Sequence, residues 1–206
     1  MTEAEWLTCR ETHPMLAHVE AHVEQRKPGL LVLACFNLIW DELPDVCRDW
    51  VIAFGNEIEG RVADQIDDKW LDVLDYFRDQ NTPDGERRYA LLNLSTGCEM
   101  GCWSDDYYPD RGDTVWAQAE AEHADVLRDI FGNPFRPVTL SPSSITSIAV
   151  ALAAQMYESR DFSAMPILAD ALQDAGCDND DILNHCRGPG PHVRGCWVVD
   201  LVLGKQ

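Results

Sequence analysis

The stretch MPILADALQDAGCDNDDILNHCRGPGPHVRGCWVVDLVLGK, residues 165–205, contains the clearest helix boundaries in the chain. Pro166 suits the first turn of a helix, because a backbone N–H there would have no partner inside the helix. Apolar residues then recur at helical spacing, and Gly176 is placed to end the helix in the left-handed conformation. The pattern predicts a helix that begins near Pro166 and ends before Gly176.

A second helix is predicted directly after the first, because Asp178 or Asn179 can cap it. It ends at the latest at the Gly-Pro-Gly-Pro sequence of residues 188–191, which forces a tight break. The following segment, 192–203, is open between two structures. Gly204 as a stop signal favours a helix, whereas two adjacent valines keep a strand open.

Further from this stretch, most of the chain also has helical periodicity or long apolar runs. The sequence predicts an all-α fold: an irregular multi-helix single domain spanning residues 1–206. A loop-rich, irregular insertion is expected at 79–113, since turn residues flank only a short apolar run there. The segments predicted to build the core are 30–43, 45–78, 114–131, 143–159 and 165–203.

Four segments carry a resemblance to other proteins: MTEAEWLTC (1–9), LRDIFGNPFRPVTL (127–140), LADALQDAGCDNDDILNHCR (168–187) and HVRGCWVVDLVLGK (192–205). They resemble a large set of paralogous planctomycete (Gemmata-like) proteins with an MTEAEWL-type start and an HVRGCWVVDLLLGK-type end. The resemblance covers residues 1–16 and 120–206. It differs near Cys35, where the family has a cysteine pair followed by basic residues. The resemblance implies a shared helical core and a bacterial origin, and it carries over no catalytic residue.

The composition limits the partners that we expect. A net charge of −20 repels phosphate backbones and anionic lipids, so neither nucleic acid nor a membrane is expected, and another protein is the expected partner. The apolar run at 30–40 is too short to span a bilayer, and the acidic start is unlike a signal peptide. The expected location is the cytoplasm, where the eight cysteines would stay reduced.

The C-terminal stretch also contains a candidate zinc site, since thiolates and imidazoles are the ligands that zinc prefers. Its spacing differs from that of zinc fingers, because the chain has no C-x-x-C pair. The alternative interpretation is that these cysteines are free and buried. We favour this alternative because isolated cysteines pack as small apolar residues. No cofactor is therefore expected, and zinc is kept as the second interpretation. The candidate ligands are Cys177, His185, Cys186, His192 and Cys196.

Two other pairs have weaker patterns. Cys98 and Cys102 form a C-x-x-x-C pair suited to thiol or metal chemistry, but an iron–sulfur motif would need a third cysteine where Asp105 stands. His18 and His22 are four residues apart, which puts both rings on one helix face. An exposed polar helix face explains that pair without a metal.

The segment 102–110 is the predicted contact surface for a protein partner, because carboxylates stand beside aromatic rings in it. The residues assigned to this contact are Trp103, Asp105, Asp106, Tyr107 and Tyr108. No nucleophile elbow, phosphate loop or dinucleotide fingerprint is present in the sequence. The leading hypothesis is a non-enzymatic cytoplasmic interaction or regulatory module with an acidic surface. The alternative is a small metal- or thiol-dependent enzyme, or a zinc-stabilised domain, that uses the Cys/His clusters.

Overall fold

The computed structural model of the chain describes residues 1–19, 26–60, 76–77, 79, 82–100 and 114–205. These ranges contain ten α-helices and no β-strand, which confirms the predicted all-α class. The helices are α1 (Glu3–Thr8), α2 (Thr12–Val19), α3 (Arg26–Leu38), α4 (Asp45–Ile58), α5 (Pro83–Met100), α6 (Thr114–Phe131), α7 (Ser147–Ser159), α8 (Met165–Asp174), α9 (Asp180–Arg187) and α10 (Trp197–Leu203). Within the chain the residues form two compact units, Met1–Leu127 and Arg128–Gln206.

Helix α3 is the central element of the first unit. Every side chain from Leu30 to Phe36 is buried, and the helix packs against both α4 and α5. Gly29 permits the approach to α4, because a Cβ atom at this position would lie 2.6 Å from the Cδ1 atom of Ile58. The apolar run at 30–43 thus gives a buried central helix, which a short 3₁₀ turn at Trp40–Glu42 follows.

Part of the segment predicted as an irregular insertion, 79–113, is instead the 18-residue helix α5. Thr82 caps its first turn by accepting a hydrogen bond from the backbone N–H of Gly85 at 3.0 Å. The short apolar run noted in the sequence forms the middle of this helix. Polar residues occupy both ends of the helix, so the sequence pattern did not indicate its full length. The fully buried side chains of this run are Ala90, Leu91, Leu92 and Leu94. Residues 101–113 lie outside the described ranges.

A buried histidine joins α6 to α2 within the first unit. The Nδ1 atom of His123 lies 3.2 Å from the hydroxyl of Thr12, and both residues are fully buried. The Nε2 atom of His123 is buried and makes no hydrogen bond with any residue that the structure describes. Burial lowers the pKa of His123 to about 3, because the charged imidazolium loses its hydration there.

The second unit contains the last turn of α6 and the four helices α7 to α10. Helix α7 packs on α8 and α10, and α9 packs on both α8 and α10. Asn179 caps α9 by accepting a hydrogen bond from the backbone N–H of Ile182 at 3.1 Å. Of the segment 192–203, which was open between helix and strand, residues 197–203 form helix α10 and end at Gly204 with φ +66°, whereas residues 192–196 form a loop. Side chains from all four helices form one apolar core, which includes Met156, Leu168, Leu172, Ile182, Val198 and Val202.

The most apolar stretch of the chain lies in α3, which has 13 residues. A membrane-spanning helix needs about 20 predominantly apolar residues. Across the described ranges, none of the helices has the length and apolar character to cross a bilayer.

Candidate metal centre

Four side chains of the second unit converge on one point. Asp129 lies in the last turn of α6, His185 in the last turn of α9, His192 in the following loop, and Cys196 directly before α10. One ligand atom from each of the four lies within 4.8 Å of the other three. The cluster therefore joins the end of α6 to residues more than 50 positions later in the sequence, and it is a candidate metal-binding group.

The distances within the cluster are close to those around a tetrahedral metal. The Oδ1 atom of Asp129 lies 3.1 Å from Nε2 of His185 and 2.9 Å from Nδ1 of His192. The Sγ atom of Cys196 lies 3.2 Å from the same Nε2 atom of His185. Zinc bonds to nitrogen, oxygen and sulfur at tetrahedral angles place the ligand atoms about 3.3–3.6 Å apart. A slight outward movement of the side chains would therefore admit an ion.

The geometry at Nε2 of His185 distinguishes two interpretations of the cluster. The four side chains could bind one shared cation, or they could form a catalytic triad with a reactive thiol. An imidazole nitrogen has one hydrogen or one lone pair, so it can fully satisfy only one hydrogen-bond partner. Here the same nitrogen approaches both the carboxylate of Asp129 and the sulfur of Cys196. A Cys–His–Asp triad would instead use the two opposite ring nitrogens. The arrangement fits ligands around one cation and does not fit a triad.

The two oxygens of Asp129 have different partners. Oδ1 faces both histidines, whereas Oδ2 accepts the backbone N–H of Val193 at 2.9 Å. Metal-binding carboxylates are commonly fixed in this way by a second hydrogen bond. In addition, Nε2 of His192 is buried and makes no hydrogen bond. This nitrogen has no partner among the described residues, and because Nδ1 is the atom that faces Asp129, an ion in the cluster would not provide one.

The electrostatics of the cluster favour a bound cation. Burial raises the pKa of Asp129, but the hydrogen bonds and charges of His185 and His192 outweigh it, so the pKa lies below its ordinary value. Burial, followed by the negative charge of Asp129, raises the pKa of Cys196 well above its ordinary value. The thiol therefore keeps its proton without a metal. A divalent cation would supply the charge that replaces this proton.

Glycines shape the chain around the cluster. Gly132 has φ +66° and ends α6, and a Cβ atom at this position would lie 3.1 Å from Cγ of Trp197. The Trp197 ring in turn lies 5.1 Å from the ring of His185, measured between centroids. Gly195 has φ +97°, so the chain turns between His192 and Cys196. These positions bring both loop ligands back to the end of α6.

Three of the five ligands predicted from sequence meet in the cluster: His185, His192 and Cys196. Cys177 and Cys186 lie instead in the apolar core of the second unit, where they are 7% and 0% exposed. Burial, followed by the charges of Asp129 and Cys177, raises the pKa of Cys186 to about 12. These two thiols pack as small apolar side chains.

Asp129 was not predicted from the sequence, although the chain contains a signal for it. This residue stands in the last turn of α6, where the helix dipole disfavours a negative charge. It is also only 2% exposed and stands beside the buried Leu127 and Ile130. A carboxylate that violates both rules needs a compensating partner, and here it has two imidazoles.

The remaining predicted site residues are not part of this cluster. The helix α5 includes the backbone of Cys98, while Cys102 and the contact residues Trp103, Asp105, Asp106, Tyr107 and Tyr108 lie outside the described ranges. His18 is half-buried, with its ring 6.4 Å from that of Trp6, and His22 is also outside the described ranges.

Comparison of the chain with protein-family models, with curated proteins and with solved structures gives no match.

Proposed function

We propose that the chain is a non-enzymatic module whose second unit, Arg128–Gln206, is stabilised by one zinc ion. The ligands are Asp129, His185, His192 and Cys196. The observation that carries this proposal is the convergence of their ligand atoms within 4.8 Å. Zinc would link the end of α6, the end of α9 and the beginning of α10, and it would thereby add its binding free energy to folding.

Zinc is the metal that best fits these donors. One thiolate, two imidazoles and one carboxylate combine the nitrogen, sulfur and oxygen ligands that zinc accepts. Calcium and magnesium bind to oxygen ligands in sites of six or more positions, so a set with only one carboxylate does not suit them. Soft thiolate and imidazole ligands together favour zinc over these hard cations.

The closed ligand set supports a structural role for the ion over a catalytic one. Catalytic zinc sites use three protein ligands and keep a fourth position for water or substrate, whereas structural sites use four. The side chains of Asp129 and His192 are 2% and 9% exposed, and Cys196 is fully buried. Four buried or partly buried ligands leave no open position, which argues against the metal-dependent enzyme as the alternative function.

The acidic surface supports a protein partner with a basic surface. A net charge of −20 would steer such a partner toward the chain and repel nucleic acid. The segment 102–110 remains the predicted contact. Replacement of Trp103, Tyr107 and Tyr108 by Ala should abolish partner binding without loss of zinc, and retained binding would remove this role from the segment.

The zinc proposal is tested by elemental analysis of the purified protein after reconstitution with zinc. We expect one zinc per chain in the wild type, and loss of most of the zinc in Cys196→Ser, because a serine hydroxyl is a poor zinc ligand. Cys186→Ser is the matched control, since Cys186 is equally buried in the same unit but outside the cluster. Equal zinc contents in the two variants, or a wild type that binds no zinc, would refute the proposal.

A further inference from the structure

A buried arginine lies in the loop between two of the cluster residues. Arg194 is 6% exposed, and its Nε atom is buried and makes no hydrogen bond. Its guanidinium carbon lies 4.6 Å from the ring centroid of Tyr157 on α7. A cation–π contact compensates for part of the lost hydration, but it leaves the N–H of Nε without an acceptor. Buried cations are normally paired, and among the described residues this N–H has no acceptor, so the position suits a bound anion.

Two further cations lie close to the same arginine and tyrosine. The Nζ atom of Lys205 also lies 4.6 Å from the ring centroid of Tyr157. Arg160 is the residue that ends α7, and burial followed by the charge of Arg194 lowers the pKa of Arg160. Two cations therefore lie at one ring and a third is close enough to Arg194 to feel its charge, in a chain whose net charge is −20.

The helix dipole explains only part of this cluster. Arg160 ends α7 and Lys205 follows α10, and cations are stabilised at the C-terminal ends of helices. Arg194 stands at no helix end, because it lies between His192 and Cys196 in the loop before α10. The helix dipole therefore does not explain why Arg194 is buried beside Tyr157.

We propose that Arg160, Arg194 and Lys205 form a binding site for a small oxyanion beside Tyr157. The ligand is a phosphoryl or carboxylate group. Guanidinium groups present paired N–H donors that match the oxygens of either group, and a lysine adds a mobile point charge. This site uses none of the four zinc ligands, so it does not depend on the zinc proposal.

The experiment is isothermal titration calorimetry of the full chain with inorganic phosphate at low ionic strength, and with acetate in a second series. We expect a dissociation constant at or below about 1 mM for at least one of the two anions. The anion that binds more tightly identifies the phosphoryl or the carboxylate source. Arg194→Gln should weaken this binding at least about tenfold, which corresponds to the loss of one charge-assisted contact.

Arg187→Gln is the matched control. It removes the same positive charge, but from an exposed arginine that pairs with Asp170. It should bind the anion like the wild type. Lys205 lies outside the helices, so Lys205→Gln is the second test variant if Arg194→Gln does not fold. It should also weaken anion binding. Survival of binding in both Arg194→Gln and Lys205→Gln, or no binding of either anion by the wild type, would overturn the proposal.

Discussion

Gly132 combines a left-handed backbone with a close approach to the ring of Trp197. Gly204 has the same φ of +66°, but a Cβ atom added there would meet nothing within 4 Å, so this glycine isolates the backbone effect. We expect Gly204→Ala to lower the free energy of unfolding by about 1–2 kcal/mol. Gly132→Ala should lower it by at least about 1 kcal/mol more, since the methyl group must displace Trp197.

Urea unfolding of the two variants measures this difference directly. Because Trp197 packs on His185, Gly132→Ala should also release zinc more readily to a chelator, whereas Gly204→Ala should not. Equal losses of stability in the two variants would show that the contact between Gly132 and Trp197 is unimportant.

His123 makes the first unit sensitive to acid. Its pKa is about 3 in the folded protein, whereas an unfolded histidine titrates near about 6.5. Because folding lowers the pKa of His123, the folded state is favoured fully at pH values above the pKa of the unfolded histidine. This contribution to the free energy of unfolding is lost as the pH falls toward the pKa of the folded state. We expect His123 to remove about 2 kcal/mol of stability between pH 6.5 and pH 4.5, since the slope is about 1.4 kcal/mol per pH unit.

Denaturant unfolding of the wild type and of His123→Leu across this pH range isolates the effect. The variant should lose less stability than the wild type on acidification, by about the same 2 kcal/mol. His13→Gln, which replaces an exposed histidine outside this buried pair, is the control for the loss of a histidine. Parallel pH profiles for the wild type and His123→Leu would contradict the buried neutral histidine.

The residue-scale chemistry of the cluster was only partly predictable. His185, His192 and Cys196 lie within one short stretch, so their residue types and proximity in the sequence suggested a common site. The hydrogen bond between Asp129 and His192 spans 63 residues. Such a contact depends on how α6 meets the loop before α10, and no local pattern encodes it. The same holds for the two buried thiols, because Cys196 belongs to the cluster and Cys186, which lies within α9, does not.

At the scale of helices, α9 carries the cap at one end and a proposed zinc ligand at the other. Removal of the cap in Asn179→Ala should lower the free energy of unfolding by about 1 kcal/mol, because the N–H of Ile182 loses its acceptor. Asn184→Ala is the control, since it replaces an exposed residue in the same helix. Chemical denaturation compares the two, and equal effects would contradict the assigned cap.

Helix boundaries were predicted best where chain punctuation is strong. The helices α8 and α9 begin and end at Pro, Asn, Gly or the Gly-Pro-Gly-Pro break, as the sequence indicated. Helix α10 ends at Gly204 as indicated, but it begins at Trp197, five residues after the start of the segment at 192. Helix α5 was missed because burial across its middle gives a continuous apolar run rather than an amphipathic stripe. Packing against α3 decides its structure, and that packing is a tertiary effect.

In the molecule as a whole, the two units have different tasks. The first unit builds a core around the buried helix α3. The second unit combines an apolar core with the proposed zinc site and the proposed oxyanion site. The net charge of −20 belongs to the whole chain, and the proposal of a basic protein as the partner rests on it.

Zinc binding by Asp129, His185, His192 and Cys196 is tested most directly by X-ray absorption spectroscopy at the zinc edge of the reconstituted protein. We predict one sulfur ligand at about 2.3 Å and three nitrogen or oxygen ligands at about 2.0 Å. Two or three sulfur ligands would mean that Cys177 or Cys186 also binds the zinc, which would contradict the proposed ligand set. A spectrum with no sulfur ligand would contradict the role of Cys196 and with it the proposed site.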